Sequence, residues 1–300
     1  MTEPVVTGFL LVDKPKGWTS HDVVAKIRNH IGGKVGHAGT LDPMATGLLV
    51  LGIGRATRLL RFVQGAEKEY IATALFGVAT DSLDADGAIL TREPLPVVDD
   101  DVIGVMARFT GEILQIPPMV SARRVEGRRL YELAREGEIV EREARPVTIH
   151  RLELLDLAPS DYPEVTFRTV CSTGTYVRTL ADDLARALGG RAYLTELRRV
   201  RIGALHVDDS ISVTEAVEAI ESGEIDRILL SSAAGLADLP EIRVDEAMAS
   251  AVRDGRELPE ILLPSGTDAD TPIRIEDRDG DLIAVYRRGD TALRPEVVLS

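Results

Sequence analysis

The sequence predicts a mixed α/β (α+β) fold with a largely antiparallel sheet and a small β-rich module at its C-terminal end. Three observations predict it. Strand-like and helix-like segments interleave along the chain, several strand-like segments follow one another closely enough to pair as hairpins, and the last sixty residues break into short strand-like runs between turns. A doubly wound parallel sheet is the alternative. Its dinucleotide fingerprint is missing, because Gly52 and Gly54 have neither a third glycine nor an opening helix after them.

Each element has its own local signal. Residues 8–13 form an apolar run, the first strand, ended by Lys14-Pro15-Lys16-Gly17. Ser20 reads as a helix N-cap, followed by Val24, Ile27 and Ile31 at helical spacing and Gly32 at the end. Residues 36–54 come next: a glycine-rich front half that reads as a loop, and an apolar back half, 48–53, of strand length. The loop carries one imidazole, His37, and one carboxylate, Asp42. Loops on a rigid scaffold are where catalytic groups concentrate, although Asp before Pro is also an ordinary turn starter. Residues 68–78 read as a strand with Tyr70 near its start, and Asp84-Ala85-Asp86-Gly87 as a turn. Residues 101–109 read as a helix with Gly111 beyond its end.

Pro117-Pro118 breaks the pattern, and an Arg- and Glu-rich excursion follows to about Arg145, with a short helix expected over 129–136. Such a segment is equally a substrate-gripping insertion or a solvated helix and loop. Residues 147–157 and 165–171 alternate like strands, and 174–188 reads as a helix with Val177, Leu180, Leu184 and Leu188 on one face. Thr175, Arg178 and Asp182 fall off that stripe, so local pattern alone makes Arg178 a helix-surface arginine. Ser212 and Glu215 form a capping box for a helix ending near Gly223. A short helix over 245–254 and strand-like runs at 273–276 and 281–286 complete the C-terminal module.

With 300 residues and 44% hydrophobic content, the chain can build one large domain and a small one. The single cysteine, Cys171, excludes an internal disulfide and fits a reducing, cytoplasmic setting. The apolar run at 8–12 is interrupted by Asp13 and Lys14, so neither a signal peptide nor a membrane span is expected. Histidines are scattered and the cysteine is single, so no metal set is expected. A net charge of −14 argues against nucleic acid, but the charge is uneven. Residues 1–206 carry 26 Lys/Arg and 27 Asp/Glu, whereas residues 207–300 carry 9 and 22. The near-neutral body holds two arginine clusters, one at Arg123, Arg124, Arg128 and Arg129, the other at Arg186, Arg191, Arg198, Arg199 and Arg201 with only Glu196 among them. Such clusters can meet phosphates, although a solvated face is the commoner use.

Several separate stretches then point one way. Lys14-Pro-Lys-Gly-Trp-Thr-Ser20 precedes Gly36-His-Ala-Gly-Thr-Leu-Asp-Pro-Met-Ala-Thr-Gly47, and Lys68-Glu-Tyr70 follows. Later come Pro117-Pro-Met-Val-Ser-Ala122, Gly127-Arg-Arg-Leu-Tyr-Glu-Leu-Ala-Arg135, Arg142-Glu-Ala-Arg-Pro146 and Gly174-Thr-Tyr-Val-Arg-Thr-Leu180. In this order and spacing they closely resemble the bacterial tRNA pseudouridine-55 synthases of the TruB family, over about residues 8–205; the last sixty residues resemble, more loosely, the PUA-type RNA-binding domain appended to such enzymes. The resemblance implies a catalytic domain over 1–238 with an RNA-gripping insertion at 118–146, and a PUA-like domain over 239–300. It implies that uridine 55 in the T-arm of tRNA is flipped out and isomerised, without cofactor or metal, by a cytoplasmic monomer.

Residue by residue, the resemblance makes Asp42 the catalytic aspartate, Tyr70 the ring stacked on the target uracil, and Arg178 the partner of the aspartate. His37 lies near the flipped nucleotide, Tyr176 belongs to the substrate pocket, and Leu197 is an apolar contact to the base. Arg123, Arg124, Arg128, Arg198 and Arg199 are candidate contacts to the RNA backbone. One departure is Arg124, where the family often carries Lys, which puts a specific lysine contact in doubt. The alternatives are an RNA-binding, tRNA-folding protein using the same cleft, and the catalytic subunit of an RNA-guided complex.

Overall fold

The structure is a computed structural model that describes residues 6–118 and 142–299, together with the backbone of 124–125 and 128–129. The chain divides into two compact units, residues 1–42, 47–66 and 202–300 in the first and residues 43–46 and 67–201 in the second.

The first unit is built on β1 (Gly8–Lys14), whose buried apolar run pairs along its full length, antiparallel, with β3 (Thr46–Ile53). On its other side β1 runs parallel to Ile211–Ser212 and antiparallel to Leu229–Leu230. Strand β2 (Val35–His37) pairs antiparallel with the far half of β3. Helix α1 (Ser20–Ile31) and a later helix, Val213–Glu221, share one core with these strands: Val23, Val24 and Ile27 of α1 pack with Leu10, Val12, Leu49 and Leu51. The cap of α1 is Thr19, not Ser20. The Asp22 N–H donates to the Thr19 hydroxyl (3.1 Å), and the Thr19 N–H donates back to the Asp22 carboxylate (2.8 Å). The Thr19 hydroxyl also donates to the Asp22 carboxylate (2.7 Å), and this bond, with the one from the Thr19 N–H, holds the Asp22 carboxyl below its ordinary range. The expected Ser212–Glu215 capping box is present.

The C-terminal residues of this unit form a five-stranded sheet with its own core. Glu241–Arg243 runs parallel to Ile273–Glu276; Leu282–Arg288, Ala292–Val298 and Leu258–Pro259 follow antiparallel. Helix Glu246–Arg253 packs Ala249 and Val252 against Ile275, Ala284 and Tyr286. Three arginines around a short helix, Leu60–Gly65, tie this sheet to the rest of the unit. Arg55, Arg58 and Arg61 donate to the main-chain oxygens of Leu299, Val298 and Glu296.

In the second unit β12 (Ala192–Ile202), β4 (Lys68–Phe76), β11 (Glu164–Cys171), β10 (Arg145–Ala158) and β7 (Gly111–Gln115) are neighbours in that order. The pairings from β4 to β7 are all antiparallel, which excludes the doubly wound alternative. Strand β4 is amphipathic by position: Lys68, Tyr70, Ala72, Ala74 and Phe76 are buried on one face. Helix α4 (Val177–Ala187) packs on β4, and α3 (Asp99–Arg108) packs on β10; β5 (Val78–Thr80) and β6 (Ile89–Arg92) form a separate hairpin. Gly111 does not end α3 but begins β7, at φ +101°. Strand β8 (Arg124–Val125) pairs antiparallel with β9 (Arg128–Arg129), so Arg129 is in a strand; the rest of the helix expected over 129–136 lies outside the described residues.

Helix α4 carries adjacent carboxyls, Asp182 and Asp183. Burial pushes Asp183 up to about 6, the Asp182 charge adds to the rise, and Arg186 partly offsets it. A carboxyl raised in the folded state lowers stability as pH climbs through the interval from its unfolded value to its folded one. Asp183→Asn should therefore match the parent near pH 4 and exceed it in melting temperature by pH 7, as read by thermal denaturation across that range. A pH-independent difference would contradict this origin.

Candidate active site

The loop that holds Asp42 is shorter than the sequence suggested, because His37 lies in a strand. Antiparallel pairing of His37 with Leu51 closes a hairpin, and the loop is left with residues 38–45. The Ala38 N–H donates to the Val50 carbonyl (2.9 Å) at its base, and Gly39 takes the left-handed φ of +103° that the turn requires. Ala38 and Leu41 are buried, Asp42 is half-buried and Pro43 is exposed.

Ser20, released from capping by Thr19, fixes this loop. Its buried hydroxyl accepts from the Leu41 N–H (2.9 Å) and donates to the Leu41 carbonyl (3.3 Å), one residue before Asp42. The turn leading into α1 is fixed in turn by Lys14. Its fully buried amine donates to the carbonyls of Pro15 (2.9 Å) and Trp18 (2.6 Å). The His37 ring lies 5.5 Å from that of His21, nearly perpendicular at 78°.

The second unit carries Tyr70, Tyr176, Arg178 and Leu197. Tyr70 is buried on β4, opposite Thr169 of β11, and Leu197 is buried on the neighbouring β12. Tyr176 immediately precedes α4. The side-chain amide of Gln115, itself buried, pins it by accepting from the Tyr176 N–H (2.7 Å) and donating to its carbonyl (3.1 Å). Arg178 is not on the helix surface. It is 3% exposed and its Nη1 donates to the Asp84 carboxylate (2.8 Å) and the Ser82 carbonyl (3.0 Å). Asp84 is buried as well; the hydroxyl of Ser82 and the N–H of Asp86 (3.2 Å) both donate to it. Its turn runs through Leu83 at φ +63°, a costly conformation for a leucine. Gly87 fits closely there, because a Cβ would push the Ser82 hydroxyl and the Asp81 carboxylate from their positions.

Lys68 and Arg199 are buried near Tyr70. Burial, then the charge of Arg199, pushes the Lys68 amine down to about 8, and burial pushes its cross-strand neighbour Cys171 up to about 11. Arg199, only 1% exposed, is therefore no surface contact for an RNA backbone, contrary to expectation. Its cluster is also less bare than its sequence implied. Arg186 and Arg191 converge on Asp182 of α4, and Arg201 on Glu69 of β4. Arg198 is half-buried and donates to the Thr46 hydroxyl (3.4 Å). Arg123 and the side chains of Arg124 and Arg128 lie outside the described residues.

Ser20, Asp84 and Gln115 were missed as site residues. Ser20 and Asp84 carried local signals for a cap and a turn, and Gln115 carried none.

The chain is similar to known proteins. The family described as TruB family pseudouridylate synthase (N terminal domain) matches residues 26–177. A protein of Aromatoleum aromaticum called tRNA pseudouridine synthase B is 46% identical over 85% of this chain and 82% of its own length. One of the same name from Moorella thermoacetica is 43% identical over 98% of this chain and its full length. Among solved structures, a chain from a Cbf5-Nop10-Gar1 complex superposes with a TM-score of 0.77 at 27% identity, covering 98% of this chain and 85% of that one.

Removing one member of the buried Asp84–Arg178 pair should be expensive. Asp84→Ala is expected to cost roughly 3–5 kcal/mol in urea denaturation, because it takes a carboxylate away from a buried guanidinium. Adding Arg178→Met should cost less than the sum of the two single changes, and strict additivity would show the pair to be uncoupled.

Proposed function

The chain belongs to the TruB family of pseudouridylate synthases, and from that premise we propose that it isomerises uridine 55 in the T-loop of tRNA to pseudouridine. That it is an enzyme forming pseudouridine in tRNA rests on curated relatives of that name matched over nearly the whole chain. The position, the flipping of the base and the part played by each side chain are our reading.

The reaction breaks the bond between uracil N1 and ribose C1′, turns the base, and joins C5 to C1′; the C5 proton leaves and N1 ends protonated. A base within a folded loop must leave its stack to be reached. Tyr70 then holds it by stacking, worth about 1–3 kcal/mol. The Asp42 carboxylate is the nucleophile, attacking C6 of the ring or C1′ of the ribose. Both routes need the ionised form, and a carboxylate taken out of water tends to protonate. Arg178 keeps it charged, and Asp84 keeps Arg178 in place. His37, Tyr176 and Leu197 shape the pocket, and Arg198, with Arg123, Arg124 and Arg128, meets the RNA backbone.

In this reading residues 1–238 form the catalytic domain, 118–146 grip the RNA, and 239–300, PUA-like, add affinity. Among the described residues no helix is long and apolar enough to cross a membrane. We place the protein in the cytoplasm, as a monomer, with the T-arm as its partner and no cofactor.

The second reading, an RNA-guided catalytic subunit, draws on the likeness to Cbf5. One assay separates them: tritium release from C5-labelled uridine in an isolated T-arm stem-loop, without any other RNA. Turnover is expected. No turnover on the stem-loop, with turnover once a guide RNA is supplied, would favour the second reading. Tight binding without turnover in either case would favour an RNA-folding protein.

A further inference from the structure

We propose that His21 is a positioning residue for pseudouridine formation, acting through the ring of His37; the inference rests on the reading that His37 faces the flipped nucleotide. The first turn of α1 is held on both sides of His21. Thr19 closes the capping box with Asp22, and Ser20 is bonded to both main-chain groups of Leu41. The His21 ring is therefore presented from a fixed backbone. The backbone of His37 is equally fixed, in register with Leu51. On that backbone the His37 ring meets the His21 ring, 5.5 Å away at 78°, which stands edge-to-face against it. In that geometry the positive edge of one ring meets the negative face of the other, which favours one orientation over its alternatives. Three consecutive residues, Thr19, Ser20 and His21, thus divide the labour: one builds the helix end, the next holds the loop beside Asp42, and the third sets a side chain on the adjoining strand. His21 itself is exposed, whereas His37 is half-buried, so the pair presents a ring to solvent at the mouth of the loop.

The contact needs a ring, not a titrating nitrogen, which makes the test specific. Single-turnover rates on the T-arm stem-loop are compared for the parent, His21→Ala, His21→Phe, His37→Ala and the double change His21→Ala/His37→Ala. His21→Ala should slow the chemical step about tenfold, the scale of a misplaced group rather than a lost one. His21→Phe should recover most of that loss. In the His37→Ala background the further change His21→Ala should do nothing, because the residue it acts through is gone. An equal loss in both backgrounds, or a phenylalanine no better than alanine, would overturn the proposal. A second measurement does not need the RNA reaction. With 13C-labelled histidine, the His37 ring resonance of the RNA-free protein should move in His21→Ala and return toward the parent in His21→Phe. An unmoved resonance in His21→Ala overturns the proposal. A parent inactive on the stem-loop overturns the functional reading alone and leaves the ring coupling to be judged by the resonance.

Discussion

The buried hydroxyl of Ser20, bonded to both main-chain groups of Leu41, is the interaction on which the placement of Asp42 depends. Residues 38–45 have no regular structure of their own, and buried main-chain groups in such a segment must find partners elsewhere. Leu41 finds both in one side chain from a different element. Without that hydroxyl its N–H would be left unpaired at a cost of about 1–3 kcal/mol, and the loop would be released next to its carboxylate. The dependence runs further back. Ser20 is in place because Thr19 ends the helix, and the turn before Thr19 is gathered around the buried amine of Lys14. A buried amine is tolerated there because main-chain carbonyls accept its hydrogen bonds in place of water.

The second unit handles charge in the same way, by burying it only with partners. Arg178 and Asp84 pair in the interior, and Asp182 collects Arg186, Arg191 and the Ala192 N–H. These pairs lock α4 to the turn at 81–87 and to the start of β12, the elements that carry or adjoin the expected substrate residues. Glu69, on the opposite face of β4, gathers Arg168 and Arg201. Arg201 of the arginine-rich strand β12 thus has a partner within the same sheet.

These pairings also explain what could be read from the sequence. Apolar periodicity and end signals placed β1, β3, α1, β10, β11 and α4 within a few residues, because each rests on contacts between neighbours in sequence. The Ser212–Glu215 box was legible for the same reason. The strand Ala192–Ile202 was not, since its arginines masked the alternation and their partners lie in other elements. Arg178 looked solvent-facing because its carboxylate partner is 94 residues away. Thr19 and Ser20 both fit a cap, and only the loop that Ser20 reaches, 21 residues on, decides between them. Asp42 and Tyr70 were singled out through the family resemblance; their local sequence alone would have left them an ordinary turn aspartate and a half-buried tyrosine.

The scaffold is thus arranged so that one loop carboxylate can be held in place without being part of any helix or strand. The claim that this carboxylate performs the chemistry is tested most directly by Asp42→Asn, which keeps the shape of the side chain and removes the nucleophilic oxygen. Tritium release from C5-labelled tRNA is measured at saturating enzyme, with tRNA binding measured on the same protein. The account predicts no release above background and binding close to that of the parent. Appreciable release by protein verified by mass spectrometry to retain asparagine would contradict it.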